Sequence, residues 1–261
     1  MGEIFDLGGI PLWVVRGSHS PMRQMIKENT TLRRLYYRLR MARSKGQSDE
    51  SRIIADLAKD ALRTFVEFGF HPIEFNCAEL ARDPEWRGLL IDGNARQVED
   101  ARSLFSDRIK IVEAFLTRDN LEFIKSTFAK IGVLSIDVDG NDYWFLEKLI
   151  DTEPGIICVE YNSSFGLEPI TIPYDPAFDR HQKHPRGWYH GASLTALAKL
   201  CASRGYGLAA VSNAGLNAFF TKSGRLDPKT EWRPNALRER YSGIIHEQQW
   251  KDVRSMPFEH V

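Results

Sequence analysis

The chain has 261 residues, and its 35 Lys and Arg balance its 35 Asp and Glu, so the formal net charge is zero. This length suits one large α/β domain with a modest attachment and argues against a second full domain. The balanced charge gives no general attraction to nucleic acid or to an anionic membrane. Cys77, Cys158 and Cys201 are widely spaced without a CxxC pair, so they predict neither a disulfide framework nor a zinc site.

The N-terminal residues predict a soluble, cytoplasmic protein. Acidic Glu3 and Asp6 precede a short apolar stretch, where a signal peptide would carry basic residues, and no later run is long enough for a membrane span. The absence of a disulfide framework agrees with the reducing cytoplasm. We therefore expect no membrane span and no nucleic-acid partner.

The segment from Pro21 to Lys45 predicts a basic helix, because eight Lys and Arg accompany a single acid, Glu28. Apolar residues at roughly helical spacing predict that one face packs while the other is solvated; they are Met22, Met25, Ile26, Leu32, Leu35, Tyr36 and Leu39. The helix is interpreted as a solvated surface or a homodimer contact, and the alternative is a dock for an anionic substrate. We predict three parts of the chain. An N-terminal extension over 1–50 contains this helix and a polar linker, a domain follows over 51–222, and a C-terminal extension covers 223–261.

From residue 51 the chain alternates helical and strand patterns, which predicts parallel strands joined by crossover helices. Strands are predicted at 65–69, 87–91, 109–112, 133–136 and 155–161, and helices at 53–62, 98–105, 121–130, 143–150 and 193–203, with one more helix capped by Asn76 and running to Arg82. Strands at 207–212 and 216–221 flank an Asn-Ala-Gly turn that suits a hairpin. The predicted fold is α/β and Rossmann-like, with a mainly parallel sheet and a terminal antiparallel hairpin.

Residues 162–190 interrupt this alternation with four prolines and five aromatic residues. Loops of this length are uncommon in compact domains and often cover a binding site. We therefore predict a substrate loop or lid. Trp188, Tyr189, Tyr161 and Phe165 can form a flat wall for a sugar or ring, and the alternative is that they pack as core.

Ligands of open α/β sheets bind beyond the carboxyl ends of the strands. At the first strand, Gly69 follows Glu67 and permits a tight turn beside a ligand, and Asn76 brings a helix N-terminus near a carboxylate. At the second strand, Asp92 can accept hydrogen bonds from both hydroxyls of a ribose. The missing GxGxxG motif favours S-adenosylmethionine (SAM) over NAD. The alternative is that Glu67 and Asp92 are solvated turn residues.

Several stretches together resemble the FkbM-like group of class I SAM-dependent methyltransferases: FVEFGFHPIEFN, WRGLLIDGN, VLSIDVDGNDYWFLEKL, ICVEYNSSFG, TIPYD, YHGASLTALAKL and GLNAFF. The resemblance spans 47–221 and is most specific over 135–162. It implies a Rossmann-like class I methyltransferase fold with a SAM site lined by Glu67, Gly69, Asp92, Gly93 and Asn94, with Glu113 and Ala114 near the adenine and Asp137 below the amino acid end. The first loop, FHPIEFN, departs from the glycine-rich or aspartate-rich loop of many members, and His71 is a replacement contact for the SAM carboxylate.

The densest acidic cluster, Asp137, Asp139 and Asp142, follows the fourth strand, and Glu160 and Asn162 follow the fifth. Their oxygens suit hard divalent cations. Acids at these two strand ends hold Mg²⁺ in catechol O-methyltransferase and some sugar O-methyltransferases, so Asp137, Glu160 and Asn162 are candidate Mg²⁺ ligands. Such a metal would lower the pKa of an acceptor hydroxyl. The alternative is that Asp139, Gly140 and Asn141 form a turn and Asp142 caps the next helix.

Methyl transfer to a hydroxyl needs proton removal, proximity and in-line alignment. His190, at the end of the long loop, is the predicted base, ahead of His181 and His184, and Asp137 and Asp139 are further catalytic candidates. The sequence thus predicts O-methylation of a small-molecule or sugar hydroxyl, glycans included. The alternative is a noncatalytic SAM-fold subunit that uses the basic helix and C-terminal tail to support a partner protein.

Overall fold

The computed structural model describes residues 25–26, 28–42 and 46–261. Within these ranges the helices are α1 Thr30–Met41, α2 Glu50–Leu57, α3 Ala78–Arg82, α4 Ala95–Arg102, α5 Glu122–Thr127, α6 Asp142–Leu149, α7 Arg180–Lys183, α8 Leu194–Ser203, α9 Pro228–Glu231, α10 Ala236–Ser242 and α11 His246–Val253. None of these helices has the length and apolar character needed to cross a bilayer. Residues 21–24, 27 and 43–45 of the predicted basic helix lie outside the described residues.

Strands alternate with the helices along the chain: β1 Thr64–Phe68, β2 Arg87–Asp92, β3 Ile109–Glu113, β4 Val133–Ile136, β5 Ile156–Glu160, β6 Ile170–Thr171, β7 Gly207–Val211, β8 Asn217–Thr221 and β9 Glu259–His260. Seven of them form one sheet in the order β3-β2-β1-β4-β5-β8-β7. The first five strands pair in parallel, and β8 pairs antiparallel with both β5 and β7. The predicted Rossmann-like α/β fold with a terminal antiparallel hairpin is confirmed.

The sheet is buried on both faces. One apolar layer joins Val66 and Ile157 of the sheet to residues of α6 and α8. The other joins Phe65 and Cys158 to residues of α2 and α3. Helices on both faces explain the nearly continuous apolar runs of the central strands.

Helix α1 docks through a buried ion pair. Arg33 Nε and Nη2 donate to the carboxylate of Asp100 in α4 at 2.5 and 3.0 Å, and Tyr37 is buried beside them. Leu35 and Leu39 are 55% and 68% exposed. The prediction that the apolar stripe packs is therefore wrong at these two leucines, because charge pairing sets the rotation of the helix.

The segment 162–190 contains more structure than its composition predicts. It includes a 3-10 turn, Ser163–Phe165, together with β6 and α7. Strand β9 pairs antiparallel with β6, and the ring of Phe258 packs against those of Phe165 and Tyr189. The C-terminal extension thus covers this loop and fixes it to the domain.

Candidate functional site

The carboxyl ends of three strands converge at Gly69. Its N–H donates to Ile91 O at 3.1 Å, and Asp137 N–H donates to Phe68 O at 3.2 Å. Gly69 has a φ of +77°, and a Cβ at this position would lie 1.4 Å from Asp137 O. Only glycine permits this approach of β1 to β4.

Glu67 is buried below this edge, at 1% exposure. Its Oε1 accepts a hydrogen bond from Asn76 N–H and its Oε2 from Cys77 N–H, both at 2.7 Å. Burial raises the pKa of Glu67 to about 7, against the effect of these bonds, which favour the carboxylate. Glu67 therefore holds the loop after β1 from beneath, and direct contact with SAM stays a prediction.

Asn76 and His71 are both engaged within the protein. Asn76 Nδ2 donates to Ser135 Oγ at 3.2 Å, and α3 begins after Cys77 without a side-chain cap. The prediction that Asn76 caps this helix is therefore wrong. The ring of His71 packs edge-on against Tyr37, with ring centroids 5.6 Å apart. Contacts of either residue with SAM stay predictions.

Asp92, Gly93 and Asn94 form the turn that follows β2. Asp92 Oδ1 accepts a hydrogen bond from Asn94 N–H at 2.7 Å, and Asn94 caps α4 by accepting from two N–H groups in its first turn. Gly93 and Asn94 are exposed and Asp92 is half-buried. Burial raises the pKa of Asp92 to about 6, so the carboxylate is mostly ionised at pH 7 and can accept hydrogen bonds from a ligand.

Glu113 and Ala114 lie beside this turn. Asp92 and Glu113 are register partners, and Ala114 N–H donates to Asp92 O at 3.0 Å. Phe115 follows and is 65% exposed. A Cβ on Gly93 would lie 3.4 Å from its ring. The sequence analysis did not identify Phe115. The residue could have been noticed as an aromatic side chain directly after Glu113 and Ala114, which were expected near an adenine.

The acidic turn after β4 is held by Asp142. Its carboxylate accepts hydrogen bonds from Val138 N–H at 2.8 Å and Gly140 N–H at 2.9 Å. Asn141 occupies the N-cap position of α6, without a side-chain cap bond. The turn interpretation of these residues therefore fits, but Asp142 stabilises the turn from inside the helix and does not cap it.

The loop 162–190 contacts this turn. Arg180 Nη1 forms an ion pair with Asp139, which is exposed and has a φ of +56°. A Cβ on Gly140 would lie 2.4 Å from the ring of Phe178, so the loop approaches the backbone closely. The acidic turn and the loop thus form one surface.

Glu160, at the end of β5, is 8% exposed. Its Oε2 lies 3.7 Å from His190 Nδ1 and accepts no hydrogen bond from any described residue. Burial, followed by the negative charges of Asp139 and Asp142, raises the pKa of Glu160 to about 8. Burial and the charge of Glu160 likewise raise the pKa of Asp137 well above its usual range. Ionisation of Glu160 therefore disfavours ionisation of Asp137 at the neighbouring strand end.

His190 lies beside Glu160 but faces away from solvent, at 1% exposure. Its Nε2 lies 2.8 Å from Arg238 Nη2. Burial and the charges of Arg180 and Arg238 lower the pKa of His190 well below its usual value. The imidazole is thus neutral and already engaged on one nitrogen, so its role as the base stays a prediction that this arrangement does not favour.

Asn162, the third predicted metal ligand, is fully hydrogen-bonded. Its Nδ2 donates to Trp188 O at 2.7 Å and to His190 O at 2.8 Å. Its Oδ1 accepts from Ser164 N–H at 3.0 Å and from Arg238 Nη1 at 2.8 Å. An amide oxygen accepts two hydrogen bonds, so metal ligation by Asn162 would require the displacement of one donor.

A different trio brings metal-ligating atoms together. Asp139, Glu160 and His190 each offer one atom, and all three lie within 4.8 Å of one another. Two permanently charged guanidinium groups occupy the same place, since Arg180 pairs with Asp139 and Arg238 bonds to His190. A divalent cation at this position would therefore have to displace Arg180 from Asp139 and Arg238 from His190.

The predicted aromatic wall is part of the core. Trp188, Tyr189, Tyr161 and Phe165 are 3%, 4%, 1% and 1% exposed. Tyr161 Oη donates to Arg233 O at 2.7 Å. The core-packing alternative therefore describes these side chains, and the exposed aromatic surface at the strand ends is that of Phe115.

No protein-family model matches the chain, and no curated protein sequence matches it either. The structure is similar to an O-methyltransferase from Bacillus cereus in complex with SAH (TM-score 0.43, 16% identity, 80% of this chain and 93% of that chain). It is also similar to the N-terminal domain of EvdMO1 in the presence of SAH and D-fucose (TM-score 0.43, 14% identity, 68% of this chain and 82% of that chain). A third similar structure is Aeropyrum pernix fibrillarin with natively bound SAM (TM-score 0.42, 11% identity, 63% of this chain and 68% of that chain).

Proposed function

We propose that this chain is a SAM-dependent methyltransferase that methylates a hydroxyl of a small molecule or sugar. The observation that carries the proposal is Asp92, an accessible acid at the end of β2, beside the close approach of β1 to β4 at Gly69. This is the edge where open α/β sheets bind nucleoside ligands. The FkbM-like resemblance supports the same assignment, because it also implies that Gly69 and Asp92 line the SAM site.

The donor set at this edge fits SAM. Asp92 accepts a hydrogen bond from Asn94 on Oδ1, and its second oxygen can accept from a ribose hydroxyl. Gly93 and Phe115 offer a flat surface for an adenine beside Glu113 and Ala114. When bound, SAM supplies an electrophilic methyl group on a sulfonium.

Glu160 is our candidate for removing the proton of the acceptor hydroxyl. Its Oε2 is buried and accepts no hydrogen bond from the described residues, and its pKa of about 8 is close to the pH at which an enzyme works. Asp137 follows the neighbouring strand β4, where burial and the charge of Glu160 raise its pKa. His190 then orients Glu160 instead of acting as the base.

The experiment that tests the proposal is calorimetric titration of SAM into the wild type and Asp92→Ala. We expect the substitution to weaken binding by about 1–3 kcal/mol, because the ribose loses a charged acceptor. Asp83→Ala is the matched control, since Asp83 makes the same kind of turn bond, to Glu85 N–H at 3.0 Å, away from the site. Unchanged affinity in folded Asp92→Ala would contradict the ribose assignment. No SAM binding by the wild type would favour a noncatalytic subunit.

Titration of MgCl₂ in the same instrument tests the role of metal. We expect no saturable binding at millimolar Mg²⁺, because Arg180 already pairs with Asp139 and Arg238 already contacts His190. Excess EDTA should likewise leave formation of S-adenosylhomocysteine unchanged with any acceptor that is turned over. Saturable Mg²⁺ binding by the wild type that is lost in Glu160→Gln would instead support a metal site.

A further inference from the structure

Arg238 in α10 joins the C-terminal extension to the candidate site. The side chain is 4% exposed. Its Nη1 donates to Asn162 Oδ1 and Ser164 Oγ, and its Nη2 contacts His190 Nε2, all at 2.8 Å. One guanidinium thus holds the chain that follows β5 and the end of the loop 162–190.

The contact with His190 decides where the imidazole carries its proton. A guanidinium has donors only and stays charged in proteins. At 2.8 Å, His190 Nε2 must therefore present its lone pair to Arg238. A neutral imidazole with a lone pair on Nε2 carries its hydrogen on Nδ1, which lies 3.7 Å from Glu160 Oε2.

The backbone holds the imidazole in this orientation. Asn162 Nδ2 donates to His190 O at 2.8 Å, and Gly191 N–H donates to Gly140 O at 3.0 Å. His190 Nδ1 and Glu160 Oε2 are both buried and make no hydrogen bond with the described residues. A small approach of these two atoms, or a hydroxyl placed between them, would satisfy both.

We infer that Arg238 is a positioning residue that selects the Nδ1–H tautomer of His190 and thereby presents a hydrogen-bond donor toward Glu160. The consequence for catalysis rests on the proposed function. The tautomer itself is a property of the protein without SAM or acceptor. The opposite tautomer would direct a lone pair toward Glu160 Oε2 and repel the negative charge that Glu160 carries once it is ionised.

Nitrogen NMR of the full chain labelled with ¹⁵N-histidine measures this tautomer directly, and His190→Gln assigns the signal among the seven histidines. In the wild type we expect N–H character at Nδ1 and lone-pair character at Nε2. Arg238→Lys retains a donor-only group and should preserve this pattern. Arg238→Gln offers an amide oxygen that can accept from Nε2–H, so the Nε2–H tautomer should appear.

Gln249→Ala is the matched control. Gln249, in α11 of the same extension, accepts from Ser164 Oγ at 2.6 Å and does not contact the imidazole, so its loss should leave the His190 signals unchanged. A wild type with Nε2–H would overturn the inference, as would an Arg238→Lys variant that adopts the Nε2–H tautomer. If Arg238→Gln does not fold, the spectra of the wild type and of Arg238→Lys still show which nitrogen of His190 carries the hydrogen. These spectra need no SAM, so their outcome is separate from that of the proposed function.

Discussion

Gly69→Ala should lower the free energy of unfolding by about 2–5 kcal/mol. The estimate combines about 1–2 kcal/mol for a non-glycine residue in a left-handed conformation with about 1–3 kcal/mol for overpacking. The overpacking is specific, because the new Cβ would lie 1.4 Å from Asp137 O, and backbone cannot move aside as a side chain does. Denaturant unfolding with circular dichroism measures the loss.

Gly243→Ala is the control for this prediction. Gly243 has a φ of +70°, but a Cβ there would meet nothing within 4 Å. It should therefore cost only about 1–2 kcal/mol, the conformational part. If both variants lose the same stability, the close approach of β1 to β4 does not constrain the fold, and Gly69 has no special place in the architecture of the site.

Glu160→Gln should lower methyl transfer by about 10²- to 10⁴-fold, the range for loss of a general base. SAM affinity should change little, because the cofactor residues lie on other strands. The burial and neighbouring charges that raise the pKa of Glu160 to about 8 predict that wild-type turnover rises with pH through that value, as the carboxyl group loses its proton. Single-turnover rates between pH 6 and 9 measure both effects.

Glu168→Gln, an exposed change in the same loop region, should leave turnover unchanged. Full activity of Glu160→Gln, or a wild-type rate that does not vary with pH, would remove Glu160 as the base.

The pH dependence of stability gives an independent test of the raised pKa of Glu160. A raised carboxyl pKa contributes stability at low pH that is lost as pH rises from the unfolded value toward about 8. The melting temperature of Glu160→Gln should therefore fall less over this interval than that of the wild type.

Strands β1, β2, β4 and β5 were predictable because each is a short and mainly buried run, and the predicted 133–136 coincides with β4. The two-residue strands β6 and β9 were not predicted. Helix ends were less predictable. The helix predicted over 98–105 is Ala95–Arg102, because Asn94 caps it four residues before the apolar pattern begins at Val98. Local side-chain hydrogen bonds of this kind decide a helix boundary without changing the hydrophobic period.

The site was predictable where it depends on strand ends and unpredictable where it depends on distant partners. Asp92 and Glu160 follow apolar runs, so their position at the sheet edge could be inferred from order alone. Arg238 lies 48 residues after His190, and no local pattern relates the two. The acids were therefore visible as a cluster, whereas the arginines that neutralise them were not, and this led to the expectation of a metal.

The position of Arg238 also has a consequence for synthesis of the protein on the ribosome. Strands β1 to β5 can pair as soon as residue 160 has emerged, but β8 must still insert between β5 and β7. The guanidinium that fixes His190 emerges later still, in α10. During translation the parallel strands can therefore pair before Arg238 emerges, so ordering of the loop 162–190 should be among the last steps of folding.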